Sequence, residues 1–180
     1  MSNSINEIRK ELIEKRSLLS NEYIKEKSLD MTKDILNDSH YKESKYIYIY
    51  SPIKNEIDTN YLIVKALQDD KIVALPSILS SGDMVFCQVN KTSKFYIDRF
   101  KILEPVFDSK TIVDQKGLMI VPLVGFYKNH RLGFGKHYYN NYLSNRKDTL
   151  YTIGIGYKFQ ENDQLTFSDR DIPLNEIRAY

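Results

Sequence analysis

The stretch Arg131-Leu-Gly-Phe-Gly-Lys-His-Tyr-Tyr139 gathers two cations and two glycines into a short run. Gly133 and Gly135 lack a Cβ, so the backbone there can take positive φ and let a ligand approach closely. Arg131 and Lys136 put positive charge at the same place. A helix predicted over 136–146 would add free N–H groups and the favourable end of its dipole. The chemistry such a segment suits is the holding of a phosphate. Two familiar phosphate motifs do not fit. A P-loop needs glycine at 130 and Ser or Thr at 137, where the chain has His130 and His137; a dinucleotide fingerprint needs a third glycine where Tyr138 stands. By itself, Gly-x-Gly-Lys is equally consistent with a surface turn carrying solvated charges.

The elements that must position this segment can be read from periodicity. Ile5, Ile8, Leu12 and Leu19 recur at helical spacing among charged residues. Ser20 then suits the N-cap of a second helix running to about 37, with Ile24, Met31 and Ile35 on its apolar stripe. A β-branched and aromatic run at 46–50 predicts a strand ended by Ser51-Pro52. Asp58 can cap a helix carrying Leu62, Ala66 and Leu67. Strands are predicted at 71–75, closed by Pro76, and at 84–89 after the Ser81-Gly82-Asp83 turn. Residues 94–114 are ambiguous. A buried strand at 118–121 ends at Pro122, a loop covers 123–135, and a last strand spans 151–155. The tail beyond it reads as polar and irregular. Alternating strands and helices predict one α/β domain over 1–180: an open, mainly parallel or mixed sheet, helices on both faces, Rossmann-like with three layers. In such sheets ligands sit beyond the carboxyl ends of the strands, and the loop after Val121 leaves one there.

Composition narrows the function classes. The chain has 180 residues, 42% hydrophobic and 28% charged, the balance of an ordinary globular domain rather than a disordered one. A net charge of +2 gives no global field for nucleic acid or membrane, so neither is expected as a partner. The lone Cys87 cannot form an internal disulfide, and the N-terminus lacks a signal-like apolar stretch; a cytoplasmic, monomeric protein is the expectation. Glu56 and Asp171, taken singly, fit surface carboxylates; Tyr138 and Tyr139 could be core; His40, His130 and His137 have no metal-ligand spacing.

The run LMIVPLVGFYKNHRLGFGKHYYNNYL, from Leu118 to Leu143, closely resembles the signature of the 5-formyltetrahydrofolate cyclo-ligase (5,10-methenyltetrahydrofolate synthetase) family, whose turn reads RLGxGxGYYD. The likeness extends to three other segments in the same order. Ile8-Arg9-Lys10 with Lys15-Arg16 resembles the family's basic N-terminal helix, SPIKNEI at 51–57 its first strand-end loop, and Arg170-Asp-Ile-Pro-Leu174 its HDxPL segment. The resemblance implies a ligase that uses ATP and Mg²⁺ to cyclise 5-formyltetrahydrofolate to 5,10-methenyltetrahydrofolate. It implies that Lys136 and Arg131 act in catalysis, and that Arg9, Arg131, Gly133, Gly135, Lys136 and Tyr139 bind ATP. It places the reduced folate on Ser51, Glu56, Phe134 and Tyr138, and Mg²⁺ on Asp171 with Asn140. The need for ATP follows independently from chemistry: a formamide carbonyl is a poor electrophile and hydroxide a poor leaving group, and phosphorylating the formyl oxygen remedies both.

Three positions depart from the family pattern. His137 replaces a glycine, Asn140 replaces a metal-binding aspartate, and Ile5 stands where the N-terminal KxxLR begins with lysine. These departures keep a second function in view, a folate- or nucleotide-binding protein with weak or absent turnover. A third is another enzyme on a similar scaffold, such as a sugar-phosphate isomerase, which fold alone does not separate.

Overall fold

A computed structural model describes residues 4–90, 92–97 and 103–180. Helix α1 (Ile5–Ser17) starts at Ser4, whose hydroxyl accepts from the Glu7 N–H while the Glu7 carboxylate accepts from the Ser4 N–H, a complete capping box. Helix α2 (Asn21–Asn37) is capped by Ser20 as predicted, its hydroxyl accepting from the Tyr23 N–H. A short α3 (Ser39–Glu43), which no sequence signal announced, leads into strand β1 (Tyr46–Tyr48). Helix α4 (Asn60–Gln68) has Thr59 at the N-cap position; Asp58 still contributes, accepting from the Asn60 N–H.

Strand β2 (Ile72–Ile78) runs through Pro76 rather than ending before it. The reason is local: β1 pairs with β2 only from Ile72 to Ala74, so no strand on that side needs an N–H from residue 76. Strand β3 (Met84–Val89) lies antiparallel to β2. The ambiguous stretch contains the paired strands β4 (Phe95–Ile97) and β5 (Leu103–Pro105); residues 98–102 lie outside the described ones. Strand β6 (Gly117–Pro122) is followed by a small hairpin, β7 (Gly125–Tyr127) and β8 (His130–Leu132), where a plain loop was expected. Helix α5 (Tyr138–Leu143) is shorter than predicted and starts two residues later, leaving Lys136 in the turn. Strand β9 (Leu150–Gly156) follows, and the tail forms β10 (Glu176–Ala179), a strand that sequence reading took for irregular chain.

The central sheet has the order β10-β9-β6-β1-β2-β3, parallel throughout except for the edge strand β3. Residues alternate between its faces. Ile47, Leu118, Ile120 and Ile153 pack under α2, α3 and α4 with Met31, Ile35 and Leu62. Tyr48, Met119 and Val121 face the other way, toward Tyr142 and Leu143 of α5. Both faces are therefore covered, as a parallel sheet requires, and the expected three-layer α/β architecture is the one observed. Helix α1 stands apart, packing Ile8 and Leu12 on Val124 and Leu132 of the hairpin region.

Strand β10 is held by charge rather than by apolar pattern, which is why it was not legible. The Arg178 guanidinium donates to Asp34 at 3.1 Å, Asp38 at 2.5 Å and Glu176 at 2.7 Å, and the Tyr180 hydroxyl donates to Asp34 at 2.6 Å. These bonds tie the last strand to the end of α2 across the sheet edge. Charge-assisted bonds of this kind, half-exposed, contribute about 2 kcal/mol together. Arg178→Ala should therefore lower the melting temperature by about 6 °C, read by circular dichroism. A melt within a degree of wild type would show the cluster to be surface decoration.

Candidate functional site

Strands β1 and β6 are neighbours, yet the chain leaving β1 crosses through α4 to β2 on one side, and the chain leaving β6 crosses to β9 on the other. The loops beyond their carboxyl ends diverge and open a crevice. A cavity of about 870 Å³ lies there. Tyr50 and Ser51 reach it from β1, Pro76 and Ile78 from β2, Pro122 and Leu123 from β6, and the glycine turn after β8 closes one side.

All twelve residues singled out from sequence line this one cavity: Arg9, Ser51, Glu56, Arg131, Gly133, Phe134, Gly135, Lys136, Tyr138, Tyr139, Asn140 and Asp171. Arg9 belongs to α1 but reaches the turn directly, its Nε donating to the Gly133 carbonyl at 2.8 Å. Gly135 has φ of +89°, in the region that favours glycine. Gly133 is small for a different reason: a Cβ there would stand 2.8 Å from Arg131 Nη1. Lys136 is exposed on the rim. His137 occupies the left-handed region, φ 55°, a conformation that costs a non-glycine residue strain.

Arg131 projects inward from β8. Its Nη1 donates to the Pro122 carbonyl at 3.2 Å, its guanidinium carbon lies 4.9 Å from the Tyr139 ring centre, and its Nε has no partner in the protein. Burial pulls its pKa down, and the Tyr139 hydroxyl and the carboxylates of Asp171 and Glu56 oppose that. Phe134 carries two cations near its ring, Lys54 Nζ at 5.2 Å and the Arg16 guanidinium at 5.6 Å.

Glu56 lines the cavity and is buried, 6% exposed. Its Oε2 accepts from the Ile53 N–H at 3.0 Å and its Oε1 lies 3.7 Å from Arg16 Nη1. The loop that aims it inward passes through two consecutive left-handed residues, Lys54 at φ 47° and Asn55 at φ 60°. Asn55 Nδ2 donates back to the Arg16 carbonyl at 3.2 Å, and the Tyr157 hydroxyl donates to the Asn55 carbonyl at 3.1 Å.

Elsewhere in the cavity lining, Asp171 and Asn140 meet. Asn140 Nδ2 donates to Asp171 Oδ1 at 2.9 Å, and Oδ2 accepts from the Ser168 N–H and hydroxyl. Burial would raise the Asp171 pKa. The bonds from Ser168 and Asn140, with His137 nearby, outweigh it and hold the group below the usual carboxylate range. One carboxylate and one amide, both oxygen donors, suit a hard cation that takes its remaining ligands from elsewhere, such as phosphate oxygens. Among the described residues no group of three or more His, Cys, Asp or Glu could hold a metal unaided.

Sequence reading missed Arg16, Lys54 and Tyr50. Arg16 carried a signal: it falls on the apolar stripe of α1, one turn beyond Leu12, and an arginine on the buried face needs a reason to be there.

A three-layer α/β domain, with a buried carboxylate and a cationic glycine turn lining one crevice at the strand ends, defines a small-molecule-binding protein of the doubly wound class. A sequence model described as the 5-formyltetrahydrofolate cyclo-ligase family matches residues 1–179; the chain belongs to that family, a family of ligases. It is 30% identical to the probable 5-formyltetrahydrofolate cyclo-ligase of Schizosaccharomyces pombe, covering 98% of this chain and 95% of that protein. It is 33% identical to the 5-formyltetrahydrofolate cyclo-ligase of Mycoplasma pneumoniae, covering 89% of each. Among solved structures, the 5,10-methenyltetrahydrofolate synthetase of Aquifex aeolicus superposes with a TM-score of 0.81 at 28% identity, over 96% of this chain and 88% of that one. The synthetase of Mycoplasma pneumoniae gives 0.75 at 27% identity, over 97% and 98%. No helix among the described residues is long and apolar enough to cross a membrane.

The Glu56 environment has a measurable consequence. Burial pushes its pKa up to about 7 from an ordinary 4.5, against the pull of Arg16, the Ile53 N–H, Arg131 and Lys54. In the unfolded chain the carboxyl ionises near 4.5, while the folded state keeps its proton to about 7. The folded state thus binds more protons across that window, and stability falls as pH rises through it. Glu56→Gln keeps the acceptor for Ile53 but cannot ionise. Relative to wild type it should gain up to about 3 kcal/mol between the two limits, read from urea midpoints against pH. Parallel curves for the two proteins would refute the buried, proton-holding carboxyl.

Proposed function

We propose that the chain cyclises 5-formyltetrahydrofolate to 5,10-methenyltetrahydrofolate, with ATP converted to ADP and phosphate. Family membership supports the cyclo-ligase activity in general. The observation that carries the specific reading is that one cavity is lined by the buried Glu56 and by Arg9, Arg131 and Lys136 around its glycine turn. A pterin offers N–H donors and a flat ring; the Glu56 carboxylate can accept from the first, and Phe134, Tyr138 and Tyr139 suit the second. Ser51 lies beside Tyr50 on the same wall. The triphosphate then falls to Arg9, Gly133, Gly135 and Lys136, with Arg131 and Tyr139 between the two ligands.

In this reading the formyl oxygen attacks the γ-phosphorus and the bond to the bridging oxygen breaks, releasing ADP. The N10 nitrogen then attacks the activated formyl carbon and loses its proton, and phosphate leaves with the former formyl oxygen. Arg131 and Lys136 act by placing positive charge where negative charge develops on the transferring group. Arg131 suits this because its Nε is buried without a protein partner. A magnesium ion held by Asp171 and the Asn140 carbonyl would supply further charge neutralisation on the phosphates.

Absorbance at the methenyl-folate band tests the reaction. Purified protein with 5-formyltetrahydrofolate, ATP and Mg²⁺ should give an ATP-dependent rise, and Lys136→Ala should slow it by about 10²–10³-fold. Binding of both ligands without any rise would favour the second reading, a binding protein with turnover lost at Asn140 and His137. Position 140 has its own test. With an amide where the family has a carboxylate, metal affinity is weaker, so Asn140→Asp should lower the Mg²⁺ concentration at half-maximal rate by about tenfold. An unmoved Mg²⁺ dependence would remove residue 140 from the metal site.

A further inference from the structure

Arg16 is 1% exposed, stands on the inner face of α1, and does not itself line the cavity. Its guanidinium joins two separate pieces of chain, the loop that carries Lys54 and Glu56 and the turn after β6. Nε donates to the Lys54 carbonyl at 2.9 Å, Nη1 donates to the Leu123 carbonyl at 3.1 Å, and the same Nη1 lies 3.7 Å from Glu56 Oε1. We propose that Arg16 is a positioning residue for the folate end of the site: it locks the Glu56 loop against the turn after β6 and so presents the Glu56 carboxylate to the substrate. The inference rests on the reading of Glu56 as the pterin acceptor.

Packing alone does not account for this side chain. A methionine would fill a similar volume without the desolvation of a buried charge. The guanidinium is also left with one amino group, Nη2, that has no partner in the protein. The loop it grips is strained, with two non-glycine residues in succession at positive φ. Such residues persist only where the surroundings over-determine them. Here the restraints come from Arg16 twice over: its side chain bonds the Lys54 carbonyl and its own carbonyl accepts from Asn55.

The electrostatics run the same way. Glu56 is faced by Arg16 from α1, Arg131 from β8, Lys54 from its own loop, and the hydroxyls of Tyr50, Tyr139 and Tyr157. Arg16 is the cation within ion-pair distance and the one that most opposes the effect of burial. Losing it shifts Glu56 toward its protonated form, which offers a pterin N–H a poorer acceptor. The same proton uptake spares the fold an unpaired buried anion, so Arg16→Met remains a folded protein.

The test is a double-mutant cycle on 5-formyltetrahydrofolate affinity, measured by calorimetry from pH 5.5 to 8.5 with Arg16→Met, Glu56→Gln and the double variant. Arg16→Met should raise Kd about tenfold at pH 7 and move the midpoint of the pH dependence up by about one unit. In the Glu56→Gln background the same change should alter Kd less than about twofold, because the group it acts through is gone. Arg16→Lys should restore part of both effects, and it carries the cycle if the methionine variant fails to fold. Multiplying effects in the double variant, or an unmoved midpoint, would overturn the proposal while leaving Glu56 in place. Wild-type affinity in Glu56→Gln would remove the reading of Glu56 and the inference with it. A ¹³C-carboxyl titration of Glu56 in wild type and Arg16→Met decides the coupling even without folate binding: an unshifted midpoint there also overturns it.

Discussion

Parallel pairing of β1 with β6 at the middle of the sheet is the constraint on which the site depends. The two strands run side by side, yet their continuing chains cross on opposite faces, α4 on one and α5 on the other. Backbone leaving the ends of such strands must separate, and the separation is the cavity. Each element that completes the site is attached at this divergence: the Glu56 loop on the β1 side, the hairpin and glycine turn on the β6 side. Helix α1 lies across both and joins them through Arg9 at the glycine turn and Arg16 at the Glu56 loop.

A site assembled from diverging loops has to pay for buried charge and strained backbone at once. Glu56, Arg16 and Arg131 are all withdrawn from water, and Lys54, Asn55 and His137 take backbone conformations that side chains disfavour. The apolar layers supply what offsets this. Both sheet faces are filled by residues such as Ile47, Ile120 and Met119 at or near zero exposure. The polar groups in turn compensate one another: Tyr157 and Arg16 donate to the backbone of a loop that has no regular structure of its own, and Asn55 of that loop donates to the Arg16 carbonyl of α1.

Two departures from the family pattern, His137 and Asn140, fall in the glycine turn and at the start of α5, and the Glu56 loop carries neither. Asn140 turns its amide toward Asp171 and donates to its carboxylate. That pair is satisfied without a cation, whereas two adjacent carboxylates would repel unless a proton or a cation lay between them. His137 follows a glycine's backbone path and adds an imidazole beside Asp171. Neither change disturbs the fold, because both lie in a turn and a short helix outside the sheet.

The sequence by itself determined the layered α/β class, because the short runs of apolar and aromatic residues at 46–50 and 118–121 mark buried strands and the spacing of Ile8, Leu12, Met31 and Ile35 marks helices that cover them. It also picked out residues that the fold brings to one cavity, since the glycine turn, Glu56 and Asp171 announce themselves through a resemblance spread over four segments. Local pattern is weak where charge replaces hydrophobicity, so β10, held by Arg178, was not legible; nor was the start of α5, set by the left-handed His137. Only the tertiary structure decided that Arg16 belongs with Glu56, residues forty apart in the chain. The reason is physical: a buried arginine takes its partners from whatever the packing brings within reach, and no spacing along the chain encodes that contact.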